Sequence, residues 1–300
     1  MLGENCFNPT PSIPARLRLR NGDMICEAAK NLLSEGAVIL PEHVATLVSR
    51  FDLDNAEELL LHLLPLATTI AQPPISEFYV GAAGLSTTGA IVLGGNLEWP
   101  GAHLGMTLHG EGFVAIRAFQ LGLSLTHVAV SQAGPCGHCR QCLAEFATAN
   151  DLLVIDPLGH RLKLSDLFPW AFTPQDLEMG GADPSAHSEI TLHGAPATVA
   201  APLTHAIRHA HAPYSGVKAA VAFEAGGQIV TGGVIESVAF NPTIQPVMSA
   251  LVELVARGIA PTQIQKAWLA QISGPVDYTA PTQALLATFG TAPLCVIEAT

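Results

Sequence analysis

The sequence predicts an α/β fold, in which helices pack against a β-sheet. Stretches with apolar residues at three- and four-residue steps alternate with short apolar stretches of strand length, as expected for such a fold. Apolar residues make up 49% of the 300 residues and charged residues 13%, which supplies a large core and argues against disorder. One segment of the second half also resembles a segment of the first, which indicates two similar domains.

Helical periodicity dominates the first fifty residues. The stretches "DMICEAAKNLLSEG" and "PEHVATLVSRF" carry apolar residues on one helical face, so we predict a helical N-terminal segment over residues 1–50. The next helix is predicted in "DLDNAEELLLHLLPLA", with Asp54 or Asn55 as its N-cap. Its apolar run is too short to span a bilayer and contains His62 and Pro65. We therefore predict a buried helix and no membrane partner.

Strands and helices then alternate. Residues 78–99 predict two short strands around a Thr-Thr-Gly turn. A helix over 107–119, a strand in "LTHVAVSQAG", a helix that begins near Pro135 and a strand in "DLLVIDP" follow. This order predicts an α/β layer arrangement. The turn-rich stretch "GGADPSAHS" is a predicted linker, which divides the chain into domains 51–180 and 181–300.

The second domain is predicted to be a copy of the first. Aligning "PPISEFYVGAAGLSTTGAIVLGGNLE" with "APYSGVKAAVAFEAGGQIVTGGVIE" places His109 opposite Val247 and Glu111 opposite Ser249. No CxxC pair follows in the second copy, which indicates duplication and then loss of the chemical groups. Chance similarity between two glycine-rich hairpins is the alternative. The residue pairs that match are Pro74/Pro213, Ser76/Ser215, Gly94/Gly232, Gly95/Gly233 and Glu98/Glu236.

The charge balance argues against a nucleic-acid polymer as partner. The net charge is −12, with 13 Lys and Arg against 25 Asp and Glu, whereas a surface that binds a phosphate backbone needs clustered cations. The longest basic cluster, formed by Arg16, Arg18 and Arg20, is short. A small, neutral ligand is the better expectation.

The cysteines and the N-terminus predict a cytoplasmic location. The first residues are polar and proline-rich where a signal peptide would need an apolar run. Cys6, Cys26 and Cys295 are isolated, and the other three cysteines crowd into residues 136–142. This is not the spacing of a secreted disulfide framework.

Two motifs offer ligands for a zinc ion. The stretch "HGEGF" provides His109 and Glu111, and "PCGHC" provides Cys136 and Cys139. One imidazole and two thiolates suit Zn²⁺, and both motifs are predicted at helix starts, where the helix dipole favours thiolates. The combination of His-x-Glu with Pro-Cys-x-x-Cys is a known signature of zinc nucleobase deaminases.

The fourth zinc position decides between a structural and a catalytic site. A structural site has four protein ligands, whereas a catalytic site leaves one position to water. Cys142 is the candidate for a fourth protein ligand, although a helical cysteine is more often a small buried apolar residue. His138, between the two cysteines, is expected to point away. Glu111 favours catalysis, because a carboxylate beside the metal can accept a proton from the water; a non-catalytic zinc module stays the alternative.

From about residue 50 to near its C-terminus, the chain resembles the two-domain, homodimeric class of zinc-dependent cytidine deaminases. The segments "FYVGA", "GGNLEWPGA", "TLHGE", "PCGHCRQ", "FPWAFTPQDLE", "HAPYS" and "AFNPT" are similar to those of that family and follow its order. The resemblance implies a three-layer α/β/α fold, with a catalytic domain followed by a degenerate copy that lacks zinc ligands. It also implies one Zn²⁺ per chain, a nucleoside substrate and a homodimer whose active sites are completed across the interface.

The resemblance implies a reaction as well. Zinc held by His109, Cys136 and Cys139 would provide a hydroxide that attacks C4 of cytidine or deoxycytidine, with Glu111 as proton shuttle. The products are uridine or deoxyuridine and ammonia, as in pyrimidine salvage. A modified cytosine nucleoside is an alternative substrate. A nucleotide would need basic groups, and only Arg117 and Arg140 lie near the motifs.

Further residues acquire substrate roles from the resemblance. Asn96 and Glu98 would bind the ribose 3′-hydroxyl, and Phe78 and Phe172 would flank the pyrimidine. Without the resemblance, the first two fit an ordinary turn with an exposed charge, and the two phenylalanines fit a core.

The remaining implied contacts involve Gly110, Gly134 and Ala239. The backbone at the two glycines would meet the polar edge of the base, and Ala239 would reach a neighbouring subunit's site. The family usually has alanine in place of Gly110 and threonine in place of Gly134, and Trp99 and Pro100 are also unusual. These differences concern the choice of substrate, because the backbone groups survive either change.

The other histidines have no predicted role in chemistry. His103 and His127 are expected on the surface or in structural contacts. His205, His209 and His211 lie close in sequence, but they have no acidic or thiol partner in a metal-binding pattern.

Overall fold

The computed structural model describes residues 22–34 and 36–300, so the basic cluster Arg16–Arg20 and Cys6 lie outside the described residues. The helices are α1 Gly22–Lys30, α2 Pro41–Arg50, α3 Ala56–Thr68, α4 Gly110–Gln120, α5 Gly137–Ala144, α6 Leu164–Leu167, α7 Ala197–His209, α8 Pro246–Ala256 and α9 Thr279–Leu286. The strands are β1 Leu33–Ser34, β2 Val38–Ile39, β3 Gly81–Ser86, β4 Ile91–Gly95, β5 Leu125–Val130, β6 Leu153–Ile155, β7 Arg161–Lys163, β8 Leu192–His193, β9 Ala219–Ala225, β10 Gln228–Gly233, β11 Ile264–Ile272 and β12 Leu294–Ala299. None of the described helices is long and apolar enough to cross a membrane.

The first sheet has helices on both faces. Its seven strands follow the order β1-β2-β4-β3-β5-β6-β7. Side chains alternate between the faces, as they must along a strand. Ala83, Leu93 and Ala129 pack with α1, α2 and α3. Ala82 and Val92 pack with α4 and α5 on the other face. The predicted three-layer α/β/α arrangement is confirmed.

The N-terminal region differs from the prediction in one respect. Helix α1 ends at Lys30, and a short hairpin of β1 and β2 follows where the helical pattern was expected to continue. Strand β2 pairs with β4, with Val38 opposite Val92, so the hairpin extends the first sheet. The β-branched pair Val38 and Ile39 favours this extended backbone, and Ala37 turns the chain with a φ of 62°. Helix α3 begins as predicted, with Asn55 accepting a hydrogen bond from the Glu58 N–H.

The second sheet repeats the centre of the first. Its order is β10-β9-β11-β12-β8, and the first four strands match β4-β3-β5-β6 in order. In both sheets the first two pairings are antiparallel and the third is parallel. Helix α7 covers one face, and α8 and α9 cover the other. The internal repeat is therefore structural, not a chance likeness of two hairpins.

The repeat also corrects the predicted register after the Gly-Gly pairs. His109 is the N-cap of α4, and the corresponding N-cap of α8 is Gln245, not Val247. Val247 thus corresponds to Glu111. The register shifts because the segment from Glu236 to the helix is shorter than the segment from Glu98 to the helix. Such a difference in loop length leaves no signal in the strand alignment.

The two halves share a core. Phe113, Ile116 and Phe119 on α4 pack with Val247 and Leu251 on α8 in one apolar cluster. The helix that carries the first zinc motif therefore rests on the second half of the chain.

Replacing Gly232 with alanine is expected to destabilise the protein by about 3 kcal/mol. A Cβ at this position would stand 2.1 Å from the Ala250 nitrogen and 2.3 Å from the Ser249 carbonyl carbon, both in the backbone of α8. Helix α8 would have to move off the sheet. Urea unfolding measures the loss, with Gly180→Ala as control, because no atom lies within 4 Å of that added Cβ. Equal stability of the two variants would contradict this packing.

Candidate active site

The zinc motifs meet at the starts of two helices. His109 is the N-cap of α4 and Cys136 the N-cap of α5. His109 Nδ1 lies 3.5 Å from Cys136 Sγ and 3.3 Å from Cys139 Sγ, and the two sulfurs are 3.6 Å apart. Tetrahedral zinc has bonds of about 2.3 Å to sulfur and about 2.0–2.1 Å to nitrogen. It therefore requires about 3.6 Å between the nitrogen and each sulfur, and about 3.8 Å between the two sulfurs. The donor set and its spacing therefore fit a zinc ion.

The local electrostatics favour thiolate at this site. Hydrogen bonds from the Cys139 thiol and N–H lower the pKa of Cys136 to about 4. The same thiol–thiol hydrogen bond, together with burial, raises the pKa of Cys139. A zinc ion bound to both sulfurs would replace the proton that the two cysteines share, because sulfur binds a metal in its deprotonated form.

Glu111 lies in the first turn of α4 beside the ligand triangle. Only 4% of this residue is exposed. Burial raises the pKa of its carboxyl group, while a hydrogen bond from its own backbone N–H and the nearby His109 act in the opposite direction. A buried carboxyl with a raised pKa can hold a proton during part of a reaction at neutral pH.

His109 and Cys136 of the triangle, together with Glu111, line a cavity of about 620 Å³, which is within the range of small-molecule sites. None of the described residues that line it is a lysine or arginine. Arg117 is buried between the halves near Glu253, and Arg140 donates to backbone carbonyl groups. The lining residues are Ile75, Ser76, Phe78, Val80, Asn96, Glu98, His109, Glu111, Gln132, Ala133, Gly134 and Cys136.

Asn96 and Glu98 are buried at the cavity wall, and each holds backbone in place. The Asn96 side chain accepts from the Val80 N–H and donates to the Phe78 carbonyl, at 2.9 and 2.8 Å. Glu98 accepts from the N–H groups of Ile75 and Ser76, and from the Ser76 hydroxyl at 2.6 Å. The wall opposite the zinc motif is therefore rigid, and neither polar side chain is an exposed turn residue.

The two glycines provide different amounts of room. A Cβ on Gly110, the first residue of α4, would stand 3.1 Å from the Ala82 Cβ. A Cβ on Gly134 would meet no atom within 4 Å. The cavity is therefore widened at Gly134 but not at Gly110.

Phe172 and Ala239 are not brought to the cavity of their own chain. Phe172 is 45% exposed, and its carbonyl group accepts from the Gln141 side chain at 2.6 Å. Ala239 belongs to a surface turn of the second half, whose next residue, Phe240, is 67% exposed. The predicted contact of Phe172 with the pyrimidine and that of Ala239 with a neighbouring subunit's site stay predictions.

The alternative metal ligands do not join the triangle. Cys142 is buried in the core shared by the two halves, and burial raises its pKa to about 12. His138 lines a smaller cavity of about 190 Å³ that His109 and Cys139 also line, but it is not one of the convergent ligands. Within the described part of the chain, only His109, Cys136 and Cys139 form a convergent group of three ligands.

The remaining histidines make structural contacts. The His127 ring is 3.2 Å from Glu57, and His103 Nδ1 accepts from the Gly105 N–H. The rings of His205 and His209 stack at 4.2 Å.

Sequence reasoning missed the structural roles of Arg140, which it considered only as a basic group near the motifs, and of Ser131. Arg140 donates to the Pro135 carbonyl at 2.7 Å and to the Leu167 carbonyl at 2.6 Å, which fixes the backbone before the first cysteine. The Ser131 hydroxyl accepts from the Gly81 N–H at 2.9 Å and joins β3 to the loop after β5. The position of Arg140 directly after Cys139 was the one available signal.

The second half lacks these ligands. At the N-cap and second helical position of α8 stand Gln245 and Val247. At the N-cap of α9, the position that corresponds to Cys136, stands the buried Tyr278, and Pro281 corresponds to Cys139. An amide, two apolar side chains and a phenol do not form a zinc site.

The α/β/α fold and the His/Cys/Cys site with its adjacent glutamate define a zinc-binding deaminase. Residues 54–154 and 164–283 each match the family described as the cytidine and deoxycytidylate deaminase zinc-binding region. The cytidine deaminase of Vibrio atlanticus is 34% identical over 86% of this chain and 90% of that protein, and that of Shewanella oneidensis is 35% identical over 83% and 85%. The structure of the Mycobacterium tuberculosis cytidine deaminase is 34% identical, covers 40% of this chain and 98% of that one, and has a TM-score of 0.35. The chain belongs to the cytidine deaminase family.

Proposed function

We propose that the protein hydrolyses cytidine and deoxycytidine to uridine or deoxyuridine and ammonia. The observation that carries this proposal is the buried Glu111 carboxylate beside a zinc-sized triangle of ligands, at a cavity that suits a nucleoside. The absence of Lys and Arg among the described lining residues favours an uncharged nucleoside over a nucleotide. A non-catalytic zinc module has no need for a buried carboxylate at this place.

The chain's own residues would divide the work. His109, Cys136 and Cys139 would hold one Zn²⁺, which would supply the Lewis acidity that makes water acidic enough to react near neutral pH. Glu111 would accept a proton from water and deliver it to ring N3, while the hydroxide oxygen bonds to C4. Glu111 would then move the proton of the new C4 hydroxyl to the amino group, so that the bond between C4 and that nitrogen breaks, ammonia leaves and the C4 carbonyl of uridine forms. The cavity wall keeps the base close to Glu111. Because the reacting groups are already oriented when the substrate is bound, the entropic part of the activation barrier is smaller than in water.

The remaining side chains would orient the substrate. Asn96 and Glu98 bind the ribose 3′-hydroxyl, and Phe78 flanks the pyrimidine within the cavity. Backbone groups near Gly110 and Gly134 meet the polar edge of the base. Phe172 is assigned to the other face of the pyrimidine ring. Ala239 is assigned to the site of a neighbouring subunit.

A homodimer would complete the site. Large apolar side chains are exposed beside the cavity, at Ile75 and Tyr79, and on the segment of Trp170 and Phe172. Phe240, next to Ala239, is exposed on the second half. Exposed apolar side chains of this size mark interaction surfaces. We therefore propose that Ala239 of one chain reaches the cavity of its partner.

We also propose domain limits and a cellular role. The catalytic domain spans residues 51–180, the degenerate domain without zinc ligands spans 181–300, and residues 1–50 precede them. The cysteines of the described residues are free thiols, which supports a reducing, cytoplasmic location and a role in pyrimidine salvage.

The proposal predicts turnover of cytidine by the purified protein, followed as the fall in ultraviolet absorbance on conversion to uridine. For cytidine 5′-monophosphate, we expect kcat/KM to be lower by about 10²-fold, because no cation in the described lining can meet the phosphate. A protein that binds one zinc ion yet converts neither cytidine nor deoxycytidine would refute the proposal. Turnover of 5-methylcytidine alone would favour a modified nucleoside, for which the open space at Gly134 has room.

Glu98 has a testable role of its own. Replacing Glu98 with glutamine is expected to raise KM for cytidine by about 10-fold or more, since hydrogen bonds to a charged group contribute about 1.5–3 kcal/mol. The matched comparison is 3′-deoxycytidine, whose KM should rise much less because it lacks the hydroxyl group that Glu98 binds. If the substitution raised KM equally for both nucleosides, Glu98 would only support the loop at Ile75 and Ser76.

A further inference from the structure

Glu145 is a buried carboxylate that the proposed chemistry does not use. It follows α5 directly, and only 1% of it is exposed. Its Oε1 accepts from His211 Nε2 at 2.8 Å and from the Tyr214 hydroxyl at 2.7 Å. Its Oε2 accepts from the Val238 N–H at 2.7 Å. All three donors lie in the second half of the chain.

This arrangement requires two acceptor oxygens on the side chain of Glu145. A buried charge is costly unless it is fully hydrogen-bonded, and here both oxygens are used. A glutamine in the same place has one oxygen and one NH₂ group. Its NH₂ group would have to point either at the Val238 N–H or at the His211 and Tyr214 donors. In both cases, two hydrogen-bond donors would face each other.

The donors hold the turn that carries Ala239. Val238 directly precedes Ala239, and the Tyr214 ring lies 6.3 Å from the Phe240 ring. The Tyr214 N–H also donates to Glu236, at the start of the same segment. Phe240 has a φ of 62°, in the left-handed region that a bulky residue rarely adopts. The backbone of this turn is therefore constrained by contacts, and Glu145 supplies the one that reaches Val238 from the first half.

Helix α5 connects this anchor to the metal site. Cys136 and Cys139 lie at its N-terminal end, and Glu145 lies at its C-terminal end. At about 1.5 Å per residue, the two ends are roughly 13 Å apart on a rigid element. The orientation of α5 thus sets both the zinc ligands of its own chain and the position of the Val238–Phe240 turn.

We propose that Glu145 is a positioning residue that fixes the Val238–Phe240 turn for use in the partner's active site. This inference rests on the proposed cytidine deaminase function and on the contact of Ala239 across a dimer. Glu145 touches neither zinc nor substrate and acts through the turn.

The first test replaces Glu145 with glutamine. We expect KM for cytidine to rise by about 10-fold or more, with kcat changed less than threefold and with one zinc ion per chain retained. Tyr214→Phe removes one of the donors to Glu145 but keeps the ring, and it should also raise KM. This variant tests the proposal if the Glu145 variant folds poorly. The control is Glu253→Gln, another buried carboxylate, which accepts from the Thr231 N–H and Arg257 and does not touch the turn. It should leave KM unchanged even if it lowers stability.

The second test uses mixed dimers in which two tagged chains differ. In one dimer, a single chain carries both Glu111→Gln and Glu145→Gln, so the wild-type chain holds the active site and meets the altered turn. We expect a raised KM. In the other dimer, Glu111→Gln and Glu145→Gln are on different chains, so the active site meets a wild-type turn. We expect a normal KM.

The outcomes separate this inference from the proposed function. Inactive wild-type protein refutes the function and the inference with it. With active wild type, an unchanged KM in the folded Glu145 and Tyr214 variants refutes the positioning role alone. A raised KM that follows Glu145 in its own chain refutes action on the partner.

Discussion

Replacing Glu111 with glutamine is expected to lower kcat for cytidine by about 10²–10⁴-fold, the usual contribution of a positioned general acid and base. Glutamine keeps the size and polarity of the side chain but cannot accept and release a proton. Glu111 is not one of the three convergent ligands, so zinc content should stay at one ion per chain. KM should change little, because the cavity wall at Asn96 and Glu98 is unaltered.

Two measurements sharpen this prediction. Glu111→Asp keeps the carboxylate but withdraws it by one methylene, so its kcat should fall between those of the wild type and the glutamine variant. Zinc measured by absorption spectroscopy on each sample separates lost proton transfer from lost metal. A glutamine variant that retains more than a tenth of wild-type kcat would show that another group carries the proton.

Replacing Cys139 with alanine is expected to abolish zinc binding at equimolar zinc and to lower activity by about 10³-fold or more. The loss of one thiolate leaves His109 and Cys136 as ligands, too few to hold the ion or to lower the pKa of a water molecule from 15.7 towards 7. Zinc content and cytidine turnover are measured on the same preparation after dialysis.

Cys142→Ala provides the matched control. Cys142 lies three residues further along α5 and is as buried as Cys139, but it is not one of the convergent ligands. It should keep zinc and turnover and lose about 1 kcal/mol of stability, as a small core truncation does. If this variant lost zinc instead, Cys142 would be a fourth protein ligand. The site would then be a structural zinc site.

The sequence was sufficient for features that depend on near neighbours. The Thr-Thr-Gly turn predicts β3 and β4, and Asn55 caps α3 as the pattern indicates. The ligand triangle was predictable because a CxxC motif at a helix start turns both sulfurs to one side. His109 lies at the start of α4, the preceding helix in the same layer.

Features that depend on distant parts of the chain were not predictable. Nothing local indicates that Glu98 is buried by the loop at Ser76, or that Glu145 receives donors from the second half. The short hairpin at Val38 joins the sheet because β4 offers an open edge, and this tertiary pairing adds to the weak local preference of Val38 and Ile39 for extended backbone. Nothing local indicates that Phe172 and Ala239 lie outside the lining of the cavity in their own chain.

The shared core between α4 and α8 sets a lower limit on the size of a working enzyme. The three proposed zinc ligands and the proposed acid–base carboxylate lie before residue 140, so a shortened chain that stops near the linker would keep all four side chains. It would also leave Phe113, Ile116 and Phe119 without cover, on the helix that carries Glu111. Such a fragment would aggregate or would have to recruit another polypeptide to cover that face. The second half, which has no zinc ligands at the corresponding positions, thus covers the apolar face of the helix that carries Glu111.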